Sequence, residues 1–289
     1  EAAFASLLDR EIARQTVADV PVGIYLSGGI DSRAILHGFA KAMPSISSFT
    51  MRFGDNDDDV RRVDALQDGM RFHKNMIDFS PETVEGIEDV IRALEDPFGD
   101  LIVCANHALA RRAAQSVRVV LSGEGGDESF MGYDHQRAFL RMARLPAIFR
   151  RAAAMAPARL MGLASGYPGK FGVAEKHRIN DVMLRMPDHA DSYLRLVTLY
   201  ADDEIRQMFS SDFLSAAPDS YDTSTVRECL SCDDQLWQSV MRVEIEQLTL
   251  IVNLIKQDRF GMRFSMEGRV PLVSRSVLEF AAGLPAEVL

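Results

Sequence analysis

Apolar residues open the chain at helical spacing (Phe4, Leu7, Leu8, Ile12) and then regroup into short unbroken runs separated by amphipathic stretches. Val22 to Leu26 reads as a buried strand, followed by the turn Ser27-Gly28-Gly29 and a helix from Asp31 to about Ala42. Ser45 to Phe53 reads as the next strand, about Asp58 to Gly69 as a helix, and Phe72 to Phe79 as a third strand. Ser80 suits an N-cap and Pro81 a first turn, which predicts a helix to about Leu94, with a further helix from about Val103 to Gln115. Val117 to Leu121 is another apolar run and ends in Ser122-Gly123-Glu124-Gly125-Gly126. Strands alternating with helices predict a doubly wound α/β domain of about five parallel strands over residues 1–135, with ligands bound beyond the carboxyl ends of the strands. From Asp134 to about Leu289 nearly everything reads as helix, broken at Pro146, Pro157, the Gly166–Gly172 loop and Pro218, so residues 136–289 are expected to form a largely helical region completing the same site.

Composition narrows the function classes. The chain has 289 residues, 47% hydrophobic and 26% charged, which excludes a disordered chain, a disulfide scaffold and a collagen-like repeat. The balance of 32 Lys and Arg against 42 Asp and Glu, a net charge of -10, argues against a nucleic-acid partner. No stretch approaches the roughly 18 apolar residues of a membrane-spanning helix, so no membrane role is expected. The odd count of 3 Cys points to a reducing compartment and hence a cytoplasmic location. Because Glu1 lies inside a predicted helix, the chain reads as a segment of a longer protein.

The segment Ser27-Gly28-Gly29-Ile30-Asp31-Ser32 carries the first chemical signal. Its glycines allow positive φ and close backbone approach, and the N–H groups opening the next helix suit a phosphate or pyrophosphate. Ser27 and Ser32 add hydroxyl donors, and Asp31 suits a Mg²⁺ held against phosphates. No Lys follows the glycines and the third glycine of the dinucleotide fingerprint is missing, so this is neither a Walker loop nor a Rossmann turn.

This segment resembles the pyrophosphatase (PP) loop of enzymes that split ATP between its α- and β-phosphates. Three more segments narrow the resemblance to the synthetase domain of the glutamine-hydrolysing asparagine synthetase family: Leu121 to Tyr133, Lys256-Gln257-Asp258-Arg259-Phe260-Gly261-Met262, and Glu267-Gly268-Arg269-Val270-Pro271. Asp19 to Gly23 and Glu95-Asp96-Pro97 fit as well, so the resemblance covers nearly the whole chain. It implies an adenine nucleotide α-hydrolase-like fold and ATP-dependent amide formation. In that chemistry a carboxylate attacks the α-phosphate to give an acyl-adenylate and pyrophosphate, and an amine then displaces AMP.

By the same resemblance Asp31 and Asp127 match the acids that hold Mg²⁺ on the pyrophosphate, and Glu124 matches the base that deprotonates the attacking amine. Leu26, Ser27, Gly28, Gly29, Ser32, Met51, Ser122 and Gly123 would contact ATP. Lys256 and Arg259 would supply positive charge, with the principal one of the two left open. Arg269 is expected to be structural, pairing Glu267 or another acid, and to carry no catalytic role. The expected substrates are a small carboxylic acid, with aspartate favoured, and ammonia or another amine. An N-terminal glutaminase domain is expected in the full-length protein, and a homodimer is left open.

Three positions depart from the family pattern. Arg33 stands where a small residue is usual, Asp100 to Asn106 lacks a Ser-x-x-Pro pattern, and Val273-Ser274 replaces Leu-Asp. Adenylation machinery is therefore expected with an acceptor that need not be aspartate. A β-lactam synthetase-like or lasso-peptide cyclase is the alternative, and a non-catalytic nucleotide-binding domain a third reading. Cys229 and Cys232 have metal or redox spacing without further ligands nearby, the six His are scattered, and the acidic run Asp55–Asp59 reads as a solvated lead into a helix.

Overall fold

The computed structural model describes residues 1–96, 99–100, 102–155, 173–200, 202–216, 223–231, 235–285 and 288. Of the positions singled out above, Pro97, Leu101, Pro157, the Gly166–Gly172 loop, Pro218 and Cys232 lie outside the described residues. The chain runs α1 (Ala2–Gln15), β1 (Val22–Tyr25), α2 (Ile30–Ala42), β2 (Ser47–Arg52), α3 (Asp58–Gln67), β3 (His73–Asp78), α4 (Pro81–Glu85), α5 (Ile87–Leu94), α6 (Ile102–Ala113), β4 (Val119–Leu121) and α7 (Gly126–Phe130). Helices α8 (Asp134–Arg144), α9 (Ala147–Met155), α10 (Val173–Arg185), α11 (His189–Val197), α12 (Asp202–Met208), α13 (Ser211–Ala216), α14 (Ser224–Leu230) and α15 (Leu236–Val243) follow. A π-helical stretch, Glu244–Leu254, leads into α16 (Ile255–Arg263), β5 (Glu267–Arg269), a 3-10 turn (Pro271–Val273) and α17 (Arg275–Ala282).

All five strands are parallel, in the order β3-β2-β1-β4-β5. Period-2 geometry sends alternate side chains to opposite faces. Val22, Ile24 and Leu26 join Leu8, Ile12, Ile35, Leu36 and Phe39 on one face, where α1, α2 and α3 lie. Phe49 and Val120 join Val90, Leu94, Val103, Ala110, Phe260 and Met266 on the other, where α5, α6 and α16 lie. Burial on both faces is why β1 and β4 read as continuous apolar runs. The fold is the doubly wound α/β arrangement, with the switch in strand order between β1 and β4.

Two local readings change. The helix expected from Pro81 to Leu94 is two, because Gly86 leaves helical geometry; α4 opens with the predicted Ser80 cap, whose backbone N–H donates to Thr83 Oγ1 at 3.2 Å. The fifth strand lies outside residues 1–135: it is Glu267–Arg269, three residues with no aliphatic side chain, within the stretch expected to be helical. Arg269 pairs Glu267 at 2.8 Å as expected, and its guanidinium also donates to the carbonyls of Gln15 (2.7 Å) and Val17 (2.9 Å), fastening the end of α1 to the edge strand.

The chain forms two compact units, Glu1–Ser129 with Leu248–Leu289, and Phe130–Gln247. The expected helical region thus divides, its last part returning to the sheet. Within the second unit, α10 packs on α9 and α11, and α14 on α11 and α15. Phe139 meets Tyr193 edge-on at 4.9 Å, and the fully buried Glu244 accepts hydrogen bonds from the Tyr193 hydroxyl and, at 2.8 Å, from His135 Nε2. Among the described residues, no helix is long and apolar enough to cross a membrane.

Candidate active site

β1 and β4 are neighbours in register, Ile24 opposite Leu121, so the two glycine-rich turns leave the same edge of the sheet side by side. In the first turn Gly28 has φ +72°, and a β-carbon there would lie 2.8 Å from the Asp59 carbonyl oxygen and 3.0 Å from Arg62 Cβ. The start of α3 occupies that space because Asp57, in the middle of the acidic run, caps it by accepting from the N–H of Asp59 at 2.8 Å. Glycine is required at 28 on both grounds. Gly28→Ala should therefore lower stability by about 1–3 kcal/mol, read as a shifted urea midpoint; an unchanged midpoint would show that the turn relaxes freely.

Gly29 is the N-cap of α2, which places Ile30, Asp31 and Ser32 in its first turn. Ser32 Oγ donates to the Gly29 carbonyl at 3.1 Å and lies 3.2 Å from Ser27 Oγ, so both hydroxyls sit at the mouth of the helix. Leu26 is buried, and its carbonyl accepts from Thr50 Oγ1 at 2.7 Å, which ties the turn to β2 one residue before Met51. Arg33 is exposed and donates from Nε to the Gly29 carbonyl at 3.3 Å.

The second turn packs directly on the first. A β-carbon on Gly123 would lie 2.8 Å from the Ser32 backbone nitrogen and 3.1 Å from Asp31 Cβ. One on Gly126 would lie 2.5 Å from Asp31 Cγ and within 2.7 Å of both its carboxylate oxygens. Bare glycine backbone at 123 and 126 is what lets the Asp31 carboxylate reach the start of α7, where Asp127 follows. Burial, then the charges of Asp127 and Glu128, push the Asp31 carboxyl up to about 6. Glu124 is raised by burial and then by Glu128, while Lys256 opposes the rise and Asp31 adds to it. Four carboxylates and one buried lysine therefore act on one another in a partly dewatered space.

α16 supplies that lysine. Lys256 is buried, with Nζ 4.0 Å from an Asp100 carboxylate oxygen. Gln257, the next residue, accepts through Oε1 from the buried Ser122 Oγ at 2.9 Å. Arg259 lies on the same helix, half-buried, with no hydrogen bond or ion pair to any described residue.

Of the expected residues, Asp31, Ser32, Gly123, Glu124, Asp127 and Lys256 come together, with Leu26, Ser27, Gly28, Gly29 and Ser122 in the turns that carry them. No interaction links Met51 or Arg259 to the carboxylates among the described residues. Sequence reasoning did not single out Glu128, which is buried and accepts from Asn253 Nδ2 at 3.3 Å; its signal was only its place beside Asp127. Val273, one of the departures, lies where a side chain on Gly125 (φ +88°) would be. Cys229 is buried and its thiol lies 3.5 Å from Glu246 Oε2. Among the described residues, no group of three or more His, Cys, Asp or Glu could hold a metal by itself. The pair Asp31 and Asp127 still fits Mg²⁺, which characteristically takes one or two carboxylates together with phosphate oxygens.

The chain is 30% identical over 292 aligned residues to a putative glutamine-hydrolyzing asparagine synthetase of Mycobacterium tuberculosis H37Rv, covering 98% of this chain and 42% of that protein. It is 27% identical over 292 residues to glutamine-hydrolyzing asparagine synthetase 1 of Bacillus subtilis, covering 94% of this chain and 42% of that protein. A shorter likeness, 36% identity over 142 residues, covers 43% of this chain and 21% of the amidase chyE of Penicillium rubens. The chain thus spans about 42% of the length of the two synthetases. The family description that matches it is asparagine synthase, over residues 3–289, a span that takes in both glycine turns, the buried lysine and the edge strand; the chain belongs to the asparagine synthase family.

Proposed function

We propose that this chain forms an amide bond at the expense of ATP through an acyl-adenylate, with asparagine synthesis from aspartate as its simplest form. The observation that carries the reading is the seating of Gly123 and Gly126 on Asp31, which merges two strand-end turns into one cradle. In this reading Ser27, Gly28, Gly29 and Ser32 hold the pyrophosphate, and Leu26, Met51, Ser122 and Gly123 the rest of the nucleotide. Asp31 and Asp127 would hold Mg²⁺, which would neutralise charge on the phosphate oxygens. Lys256 and Arg259 offset the negative charge that grows on the α-phosphate and the leaving pyrophosphate. The acceptor carboxylate oxygen bonds to the α-phosphorus as the bridge to the β-phosphate breaks, and its electron pair leaves with pyrophosphate. The amine then bonds to the acyl carbon, loses a proton to Glu124, and AMP departs. Ammonia delivered by a glutaminase domain is the matching proposal for the nitrogen source, since the relatives are named glutamine-hydrolyzing.

One observation favours a second reading, in which the amine belongs to the same molecule as the acid and the product is cyclic. Val273, where the family carries leucine, packs on Gly125 in the turn between Glu124 and Asp127. The turn that bears the proposed base is therefore packed by a different side chain in this protein. Exchange of labelled pyrophosphate into ATP, run with a panel of acids, separates the two. Exchange driven by aspartate supports asparagine synthesis, and exchange driven by another amino acid or a peptide supports cyclisation. Wholly acid-independent behaviour, or no exchange with any acid, would remove adenylation itself.

A further inference from the structure

We infer that Gln257 is a positioning residue that fixes the direction of Lys256 relative to the turn bearing Glu124, an inference resting on the reading of those two as partners in the proposed reaction. Lys256 and Gln257 are consecutive on α16, about 100° apart around its axis, so whatever pins one sets the direction of the other. Gln257 is pinned from two sides. Ser122 Oγ donates to its Oε1 at 2.9 Å, joining α16 to the turn after β4 that carries Glu124 two residues later. Across from Ser122 the amide lies on Gly268 in β5, where a β-carbon would sit 2.5 Å from Nε2, 3.0 Å from Cγ and 3.1 Å from Cδ. Gly268 pairs with Val120 in the sheet, so the amide is held by the middle of β5 and by the turn that follows its neighbour β4.

The other attachments of α16 do different work. Phe260 is buried against the edge of His107 at 5.5 Å, and Gly261 allows the helix to approach the Met266 carbonyl, 2.5 Å from where a β-carbon would lie. These set how near the helix lies to the sheet. At its far end Arg263 pairs with Asp89 at the surface, 2.8 Å away and nearly two turns from Lys256. Gln257 alone of these touches the turn that bears Glu124, and its bond with Ser122 is partly shielded from water, where a directional contact resists slippage.

The test reads Glu124 directly, by carbon-13 NMR titration of labelled glutamate carboxyls. Lys256→Met should raise the Glu124 midpoint, because the lysine's charge is what opposes its rise. Gln257→Met, similar in volume but unable to accept the bond, should produce a similar rise, as should Ser122→Ala from the opposite side. The Ser122→Ala/Gln257→Met pair should add nothing to either single change, since each removes the same bond. Gln257→Met should also lower kcat in the exchange assay by about 10- to 100-fold with the KM for ATP nearly unchanged, a split that general destabilisation would not give. An unmoved Glu124 midpoint in Ser122→Ala and Gln257→Met, beside a risen one in Lys256→Met, overturns the positioning role. If Gln257→Met fails to fold, Ser122→Ala decides alone. A risen midpoint in a protein that exchanges pyrophosphate with no acid would keep the clamp and discard the proposed reaction.

Discussion

Asp31→Asn should lower pyrophosphate release by about 10³-fold and, in the ligand-free protein, raise stability at neutral pH. The change is close to isosteric, so Gly123 and Gly126 keep their seat and the turns stay together. What is lost is a negative charge at the mouth of α2, the one that would hold Mg²⁺ against the phosphates. The gain in stability comes from the same charge. Folding buries the Asp31 carboxyl beside Asp127 and Glu128 and lifts it from near 3.8 to about 6, so the folded state favours the neutral acid. Its favourable contribution is whole below about pH 3.8 and is lost as pH rises through about 6. Above that point the ionised group costs about 1–2 kcal/mol after allowing for its partial exposure. Thermal unfolding at pH 7.5 should show a higher Tm for the asparagine variant, with the difference shrinking toward pH 4. Magnesium and pyrophosphate together should stabilise the native protein and not the variant. A Tm that falls at pH 7.5, or catalysis that survives, would take Asp31 out of the metal site.

Glu124→Gln should leave pyrophosphate exchange largely intact while slowing amide formation by about 10²-fold or more. The two halves of the reaction ask different things of this residue. Adenylation needs a nucleophilic carboxylate from the substrate and no proton acceptor from the protein; aminolysis needs a base for the ammonium that forms on attack. Burial and Glu128 raise the Glu124 carboxyl above the ordinary carboxylate range, which strengthens it as a base, and Lys256 keeps that rise in check. The rate of amide formation should therefore climb with pH through a midpoint above that of a free glutamate. Glutamine at 124 abolishes this limb, and AMP then appears mainly by slow hydrolysis of the acyl-adenylate. Loss of exchange along with amide formation would instead mark Glu124 as a group needed to bind ATP.

Strands β1 and β4 and the two glycine turns were legible because their signals are local. An aliphatic run buried on both faces, followed by Ser-Gly-Gly, needs no knowledge of the rest of the chain. The nearness of Asp31 to Asp127 also follows from order alone, once β1 and β4 are neighbours at a switch in strand order. β5 was hidden for the opposite reason: Glu267-Gly268-Arg269 has no apolar pattern, and its pairing partner lies far earlier in the chain. The break at Gly86 was read through because a single glycine within a helical pattern is usually tolerated. Glu128 and Gln257 were missed as site residues because their only signal was a place beside Asp127 and Lys256. Glu128 matters because Asn253 and the turn enclose it, and Gln257 because Gly268 leaves it room. The π-helical winding of Glu244–Leu254 has no sequence cue either, since its apolar content suits an ordinary helix equally well.

The edge strand has a bearing on how the molecule is made. Residues up to about 130 contain both glycine turns, yet Lys256 and the edge strand beside its helix lie much further along the chain. A nascent polypeptide that had reached only the second turn would lack Lys256, so the proposed reaction could not begin before α16 and β5 had joined the sheet.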